Sequence, residues 1–129
     1  LTTKRRASLE GLRVLVVEDE ALVSFLVEEY LTEMGCDVVA TAHTLEDALE
    51  KARTLDIDGG VLDVNLNGKL SYPVADMLDE RGLRVVFATG YGTSGLPSRF
   101  AGIPVLSKPF EMAQLGDALE KQPRAISRR

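Results

Sequence analysis

Four short stretches of this chain carry side chains that could do chemistry together. Glu18, Asp19 and Glu20 directly follow an apolar run. Asp63 lies inside a second such run, Val61-Leu62-Asp63-Val64; Thr89 ends a third, and Lys108-Pro109 follows a fourth. Crowded carboxylates repel one another, so two or three of them remain charged side by side only with a hard cation between them. Magnesium suits such a set because it takes few protein carboxylates, keeps several waters and bridges to phosphate oxygens. A carboxylate is also a competent nucleophile toward phosphorus. The negative charge that spreads over a phosphoryl group in transfer is what a metal ion, a lysine and a hydroxyl can stabilise. Taken singly each residue has a plainer role: helix-initiating acids at Glu18 to Glu20, a loop-starting Asp63, a turn Thr89 and a solvated Lys108. Their significance depends on whether the fold brings them to one place.

The surrounding pattern supplies that placement. Residues 12–17 are apolar apart from Arg13, as in a strand buried on both faces. A helix is expected over 21–34, where Leu22, Leu26, Leu31 and Met34 recur at helical spacing and Gly35 supplies the stop. A second strand spans 37–42. Thr44-Leu45-Glu46-Asp47 resembles a capping box and opens a helix to about 53. A third strand covers 60–64. Ser71 and Pro73 suit the first turn of a helix ending near Arg81-Gly82. A fourth strand covers 84–89. The pattern then weakens across 90–102, with four glycines, Pro97 and a short candidate helix at 98–101. A fifth strand is expected at 103–106 and a last helix at 112–121, with Leu115, Ala118 and Leu119 on one face. Strands alternating with about five helices imply a parallel sheet covered on both faces. Ligands of such sheets sit at the carboxyl ends of the strands, which is where all four reactive stretches fall.

With 129 residues the chain fits one domain, and 45% apolar residues can fill a core. The net charge of -5 argues against a nucleic-acid-binding face. No apolar run is long enough to span a bilayer and no signal peptide is visible, so a cytoplasmic protein without membrane contact is expected. Cys36 stands alone and reads as a buried structural thiol. Basic residues at both ends (Lys4, Arg5, Arg6; Arg124, Arg128, Arg129) read as solvated tails. Residues 1–11 are expected as a linker or tail, 12–121 as the domain and 122–129 as a tail.

The ordered set Val16-Val17-Glu18-Asp19-Glu20, Val61-Leu62-Asp63-Val64-Asn65-Leu66, Thr89 and Lys108-Pro109-Phe110 resembles the signature of response-regulator receiver domains over about residues 12–121. The resemblance implies an α/β, flavodoxin-like, doubly wound five-stranded parallel sheet of strand order 2-1-3-4-5. It also implies a role for each residue. Asp63 corresponds to the phosphoacceptor, Asp19 to the direct Mg2+ ligand and Glu18 to the acid that holds the ion through water. The backbone carbonyl of Asn65 would complete the metal shell, Thr89 would hydrogen-bond a phosphoryl oxygen, and Lys108 would pair with another and with the unphosphorylated Asp63. The Lys108-Pro109 bond is expected to be cis. Phe87-Ala88-Thr89-Gly90-Tyr91 is similar to an alphaproteobacterial subgroup named for a Phe-Ala-Thr-Gly run, whose fourth helix is short or irregular and whose partners are often HWE-type or related histidine kinases. The implied function is that of a two-component phosphorelay receiver. It would accept a phosphoryl group from a histidine kinase or phosphotransfer protein, signal through altered protein contacts, and not act as a separate enzyme. One position departs from the family: Val105 stands where an aromatic switch residue is usual. Signalling by ordering of the glycine-rich loop after Thr89 is the expectation that follows.

Other readings compete. Gly90-Tyr91-Gly92-Thr93-Ser94-Gly95 matches a dinucleotide-binding pattern literally, but it follows the fourth strand instead of the first, and Pro97 interrupts what comes next. His43, the single histidine, falls in a strand-to-helix turn without an evident role. An aspartate-nucleophile phosphatase would want a second Asp where Asn65 stands. A pseudo-receiver would bind partners without phosphorylation. The chain opens on Leu1, consistent with excision from a longer protein or with processing or tagging; it could be a stand-alone receiver or the receiver segment of a hybrid histidine kinase.

Overall fold

The computed structural model describes residues 4–90 and 95–121. Five strands form one parallel sheet: β1 (Arg13–Val17), β2 (Asp37–Ala42), β3 (Gly59–Asp63), β6 (Arg84–Thr89) and β7 (Val105–Ser107), in the order β2-β1-β3-β6-β7. Counting only the strands of this sheet, that order is 2-1-3-4-5. Among the described residues four α-helices cover it: α1 (Ala21–Glu33), α2 (Leu45–Thr54), α3 (Tyr72–Glu80) and α4 (Met112–Lys121). The period-2 geometry of a strand divides the apolar runs between two cores. Val14 and Val16 of β1, with Val61, Val86 and Ala88, face α1 and α4. Leu15 and Val17, with Leu62, Val85 and Phe87, face α2 and α3. Burial on both sides explains why these strands read as apolar runs.

Several boundaries differ from the sequence expectation. The third strand ends at Asp63 instead of residue 64, because Asn65–Leu66 (β4) and Lys69–Leu70 (β5) form an antiparallel hairpin. Asn67 and Gly68 make its two-residue turn with φ of 57° and 96°, the two left-handed residues of a type I′ turn, which Asn-Gly favours. The fifth strand is Val105–Ser107, set by its register with Phe87 to Thr89; Ile103 lies before it and packs with the α2–α3 core. Among the described residues the expected fourth helix is a single 3-10 turn, Ser98–Phe100, so there are four α-helices instead of about five. The inward face of α1 is Ser24, Val27 and Leu31, while Leu22 and Leu26 are exposed. Gly35 ends that region with φ +101°. Thr44 does cap α2, its hydroxyl accepting from the Asp47 N–H at 3.2 Å.

The segment before β1 packs on the domain. Ala7–Leu9 forms a 3-10 turn, and Leu9 is fully buried in the core shared with α1 and α4. Cys36 is buried as expected, and burial pushes its thiol up to about 11, leaving it inert. No helix among the described residues is long and apolar enough to cross a membrane.

Candidate functional site

Register brings the four reactive stretches to one sheet edge. Val17 closes β1, opposite Ala42 and Leu62, so Glu18 and Asp19 emerge beside Asp63, the last residue of β3. Asp63 pairs with Ala88 and Thr89 with Ser107, so Thr89 and Lys108 lie one step beyond on the neighbouring strands. The Lys108 N–H donates to the Thr89 carbonyl at 2.8 Å, and the Lys108-Pro109 bond is cis.

Glu18, Asp63 and Thr89 are buried at 3%, 8% and 4% exposure, and Asp19 is half-buried. One carboxylate oxygen from each of Glu18, Asp19 and Asp63 lies within 4.8 Å of the others. The Lys108 ammonium reaches Glu18 Oε1 at 2.9 Å and Asp63 Oδ1 at 3.3 Å. Burial, then the charge of Glu18, raises the Asp63 carboxyl to about 7, against the opposing pull of Lys108. Burial alone would lower the Lys108 ammonium, but the hydrogen bond to Glu18 and the charges of Asp63 and Glu18 outweigh it and leave it raised. Three converging carboxylates with one cation at their margin form an all-oxygen, charge-rich set. That is the donor chemistry a small hard divalent cation requires, and it repels itself without one.

Asn65 is exposed at the start of the hairpin, and its side-chain Oδ1 is taken by the Gly68 N–H at 2.6 Å. Glu20, the third acid of the first stretch, donates its N–H to Glu18 Oε2 at 3.2 Å and lies outside the cluster. His43 lies in the turn between β2 and α2 as expected, and its Nδ1 is 2.8 Å from the carbonyl oxygen of Glu18. Nothing in the sequence signals that bond, which depends on the β1–β2 register. Tyr91 and the central residues of the glycine-rich loop, including the inner part of the dinucleotide-like pattern, lie outside the described residues, and with them the expected ordering of that loop.

The model of the response regulator receiver domain matches residues 14–120. The chain belongs to this family. The solution structure of SdrG from Sphingomonas melonis is 40% identical with a TM-score of 0.76, over 85% of this receiver domain and 94% of that chain; the same protein was also solved in a BeF3-activated conformation, at 39% identity. That likeness agrees with the Phe-Ala-Thr-Gly subgroup. The receiver domain of a sensor histidine kinase from Pseudomonas aeruginosa, solved with magnesium coordinated in its active-site cleft, shares the fold at 20% identity and TM-score 0.72, over 86% and 96% of the two chains. The transcriptional regulatory protein TcrA of Mycobacterium tuberculosis is 34% identical over 130 residues, covering 94% of this chain and 48% of TcrA. The receiver domain spans between 16% and 55% of the length of the curated relatives it matches. Membership in this family of two-component signalling modules removes the dinucleotide-binding and phosphatase readings.

Proposed function

We propose that this receiver domain accepts a phosphoryl group on Asp63 from the phosphohistidine of a histidine kinase or phosphotransfer protein. An Asp63 carboxylate oxygen forms the new O–P bond, the N–P bond of the donor breaks, and the imidazole leaves with the electron pair. Glu18, Asp19, Asp63 and the Asn65 carbonyl would hold Mg2+, which supplies the positive charge that keeps the carboxylates ionised and offsets charge on the phosphoryl oxygens. Lys108 pairs with Asp63 before transfer and with a phosphoryl oxygen after it, and Thr89 donates a hydrogen bond to another oxygen.

The observation that carries this reading is the placement of Asp63. It is buried in a cluster with Glu18 and Asp19, and the Lys108 ammonium bridges it, at 3.3 Å, to Glu18, at 2.9 Å. A protein donor is supported by the surface next to the site. Leu22 and Phe25 of α1 are 85% and 60% exposed. Beside them a groove of about 310 Å3, lined by Leu26, Val27, Lys108, Pro109 and Phe110, runs to the site's lysine. The magnesium in the Pseudomonas receiver and the BeF3-activated form of SdrG support the metal and the acyl phosphate respectively. Output runs through protein contacts, in a cytoplasmic setting, either as a stand-alone receiver or as a segment of a hybrid histidine kinase; the open reading frame distinguishes these.

Incubation with a labelled phosphohistidine donor and Mg2+ is expected to label the protein, and Asp63→Ala is expected to stay unlabelled. Full labelling of Asp63→Ala refutes the assignment. A beryllofluoride titration of the unsubstituted protein that shows no Mg2+-dependent change favours a docking module without phosphorylation.

A further inference from the structure

The end of β1 is held at several points, and one of them comes from a side chain outside the acid cluster. The Glu18 N–H donates to the Ala42 carbonyl at 3.0 Å, which extends the parallel ladder one step past the Val17–Ala42 pair. The Glu18 side chain is fixed by Lys108 at Oε1 and by the Glu20 N–H at Oε2. The Glu18 carbonyl belongs to the peptide that carries Asp19. In a continued parallel ladder it would accept from the N–H of Thr44. The chain has already turned by then, because Thr44 is the N-cap of α2. His43 replaces the missing ladder bond with its ring: Nδ1 lies 2.8 Å from the Glu18 oxygen. A carbonyl oxygen only accepts, so Nδ1 carries the hydrogen and donates.

We propose that His43 is a positioning residue for the metal-binding acids: by holding the Glu18 carbonyl it fixes the peptide plane from which Asp19 projects toward Asp63. The inference rests on the metal-dependent reading given above. It follows from how the acids are mounted. Asp19 is the least buried of the three carboxylates, and it stands at the turn between β1 and α1. Coordination of a small cation at about 2.1 Å tolerates little drift in its ligands, so an unpinned Glu18–Asp19 peptide weakens the site without unfolding the sheet. Partners outside the ligand shell are known to contribute to metal affinity in this way.

The test is calorimetric titration of MgCl2 into the full chain, paired with thermal melts in chelator. His43→Ala is expected to weaken Mg2+ binding by about 3- to 10-fold, the range of one net hydrogen bond acting on a ligand's mount. His43→Asn is expected to bind close to normally, because the amide nitrogen of Asn hangs on Cγ as Nδ1 of histidine does and can donate to the same carbonyl. His43→Gln, with its amide one carbon further out, is expected to resemble His43→Ala. The metal-free melts of all three are expected to match the unsubstituted protein within about 2 °C, as surface substitutions usually do. Unchanged Mg2+ affinity in His43→Ala, or an Asn variant as weak as the Ala variant, overturns the role of His43. Failure of the unsubstituted protein to bind Mg2+ at all overturns the metal-dependent reading itself, which separates the two failures.

Discussion

Asp63 shows how one residue can serve the site at the expense of the fold. Its carboxyl is raised to about 7 by burial and by Glu18, whereas an unfolded aspartate titrates near 4. Between those values the folded protein binds the proton more tightly than the unfolded chain does. The contribution of Asp63 to stability therefore falls as pH rises from about 4 to about 7, and its full penalty is present above 7. Asp63→Asn removes the titrating group while keeping its shape. In chelator-treated protein, Asp63→Asn is expected to be more stable than the unsubstituted protein at pH 8, by up to about 4 kcal/mol, three units at ~1.4 kcal/mol each. The gain should shrink toward zero near pH 4. Urea unfolding across that range measures it, and a difference that does not vary with pH would falsify the account. The juxtaposition at this scale was largely legible beforehand, because Glu18, Asp19, Asp63, Thr89 and Lys108 each lie at or just past the end of a strand that the sequence marks. His43 was not, because its contact is made by register between two strands and not by spacing along one.

Elements were legible where burial imposes a period and obscure where it does not. The runs of β1, β3 and β6 are apolar on both faces because both faces are covered, so their existence was plain from the sequence. In α1 the same argument misleads. Leu22, Phe25 and Leu26 are apolar but exposed, so apolar residues occur around most of the helix and periodicity cannot tell the core face from the other. The β4–β5 hairpin is too short to show alternation, although its Asn67-Gly68 turn is a recognisable signal. The exposed face of α1 carries its own expectation. Exposed large apolar side chains grouped beside a reactive site cost solubility unless they meet a partner. A Leu22→Ser, Phe25→Ser variant is expected to slow phosphotransfer from a protein donor by roughly 10-fold or more, as loss of apolar anchors at an interface does. Its rate with a small-molecule phosphodonor such as acetyl phosphate should be unchanged, since neither residue belongs to the acid cluster. Equal slowing with both donors would show damage to the site and not loss of docking.

At the scale of the whole molecule, the segment before β1 packs on the domain. A single Leu9 in a polar stretch has no periodicity to announce burial, so residues before β1 read as a tail. In the fold Leu9 is fully buried among Val14, Met34 and Leu119. The backbone is tied back by Arg6 N–H to the Met34 carbonyl at 3.0 Å and Gly11 N–H to the Gly35 carbonyl at 2.8 Å. Arg6 lies across α4, bonded to Asp117 and Glu120 at 2.9 Å and to the Ala113 carbonyl at 3.3 Å. It can do so because position 116 is glycine: a Cβ there would stand 2.6 Å from the Arg6 guanidinium carbon. Two terms thus hold the segment, one apolar and one ionic. Burying a leucine completely and then truncating it costs about 2–5 kcal/mol, whereas ion pairs that keep contact with water contribute roughly 0–1 kcal/mol. Leu9→Ala is therefore expected to destabilise the domain by at least ~2 kcal/mol in urea unfolding, and Arg6→Ala by less than half as much. If Arg6→Ala proved the more costly, the segment would be an ionic clasp on α4, and Leu9 would not be part of the core that holds the sheet edge in register.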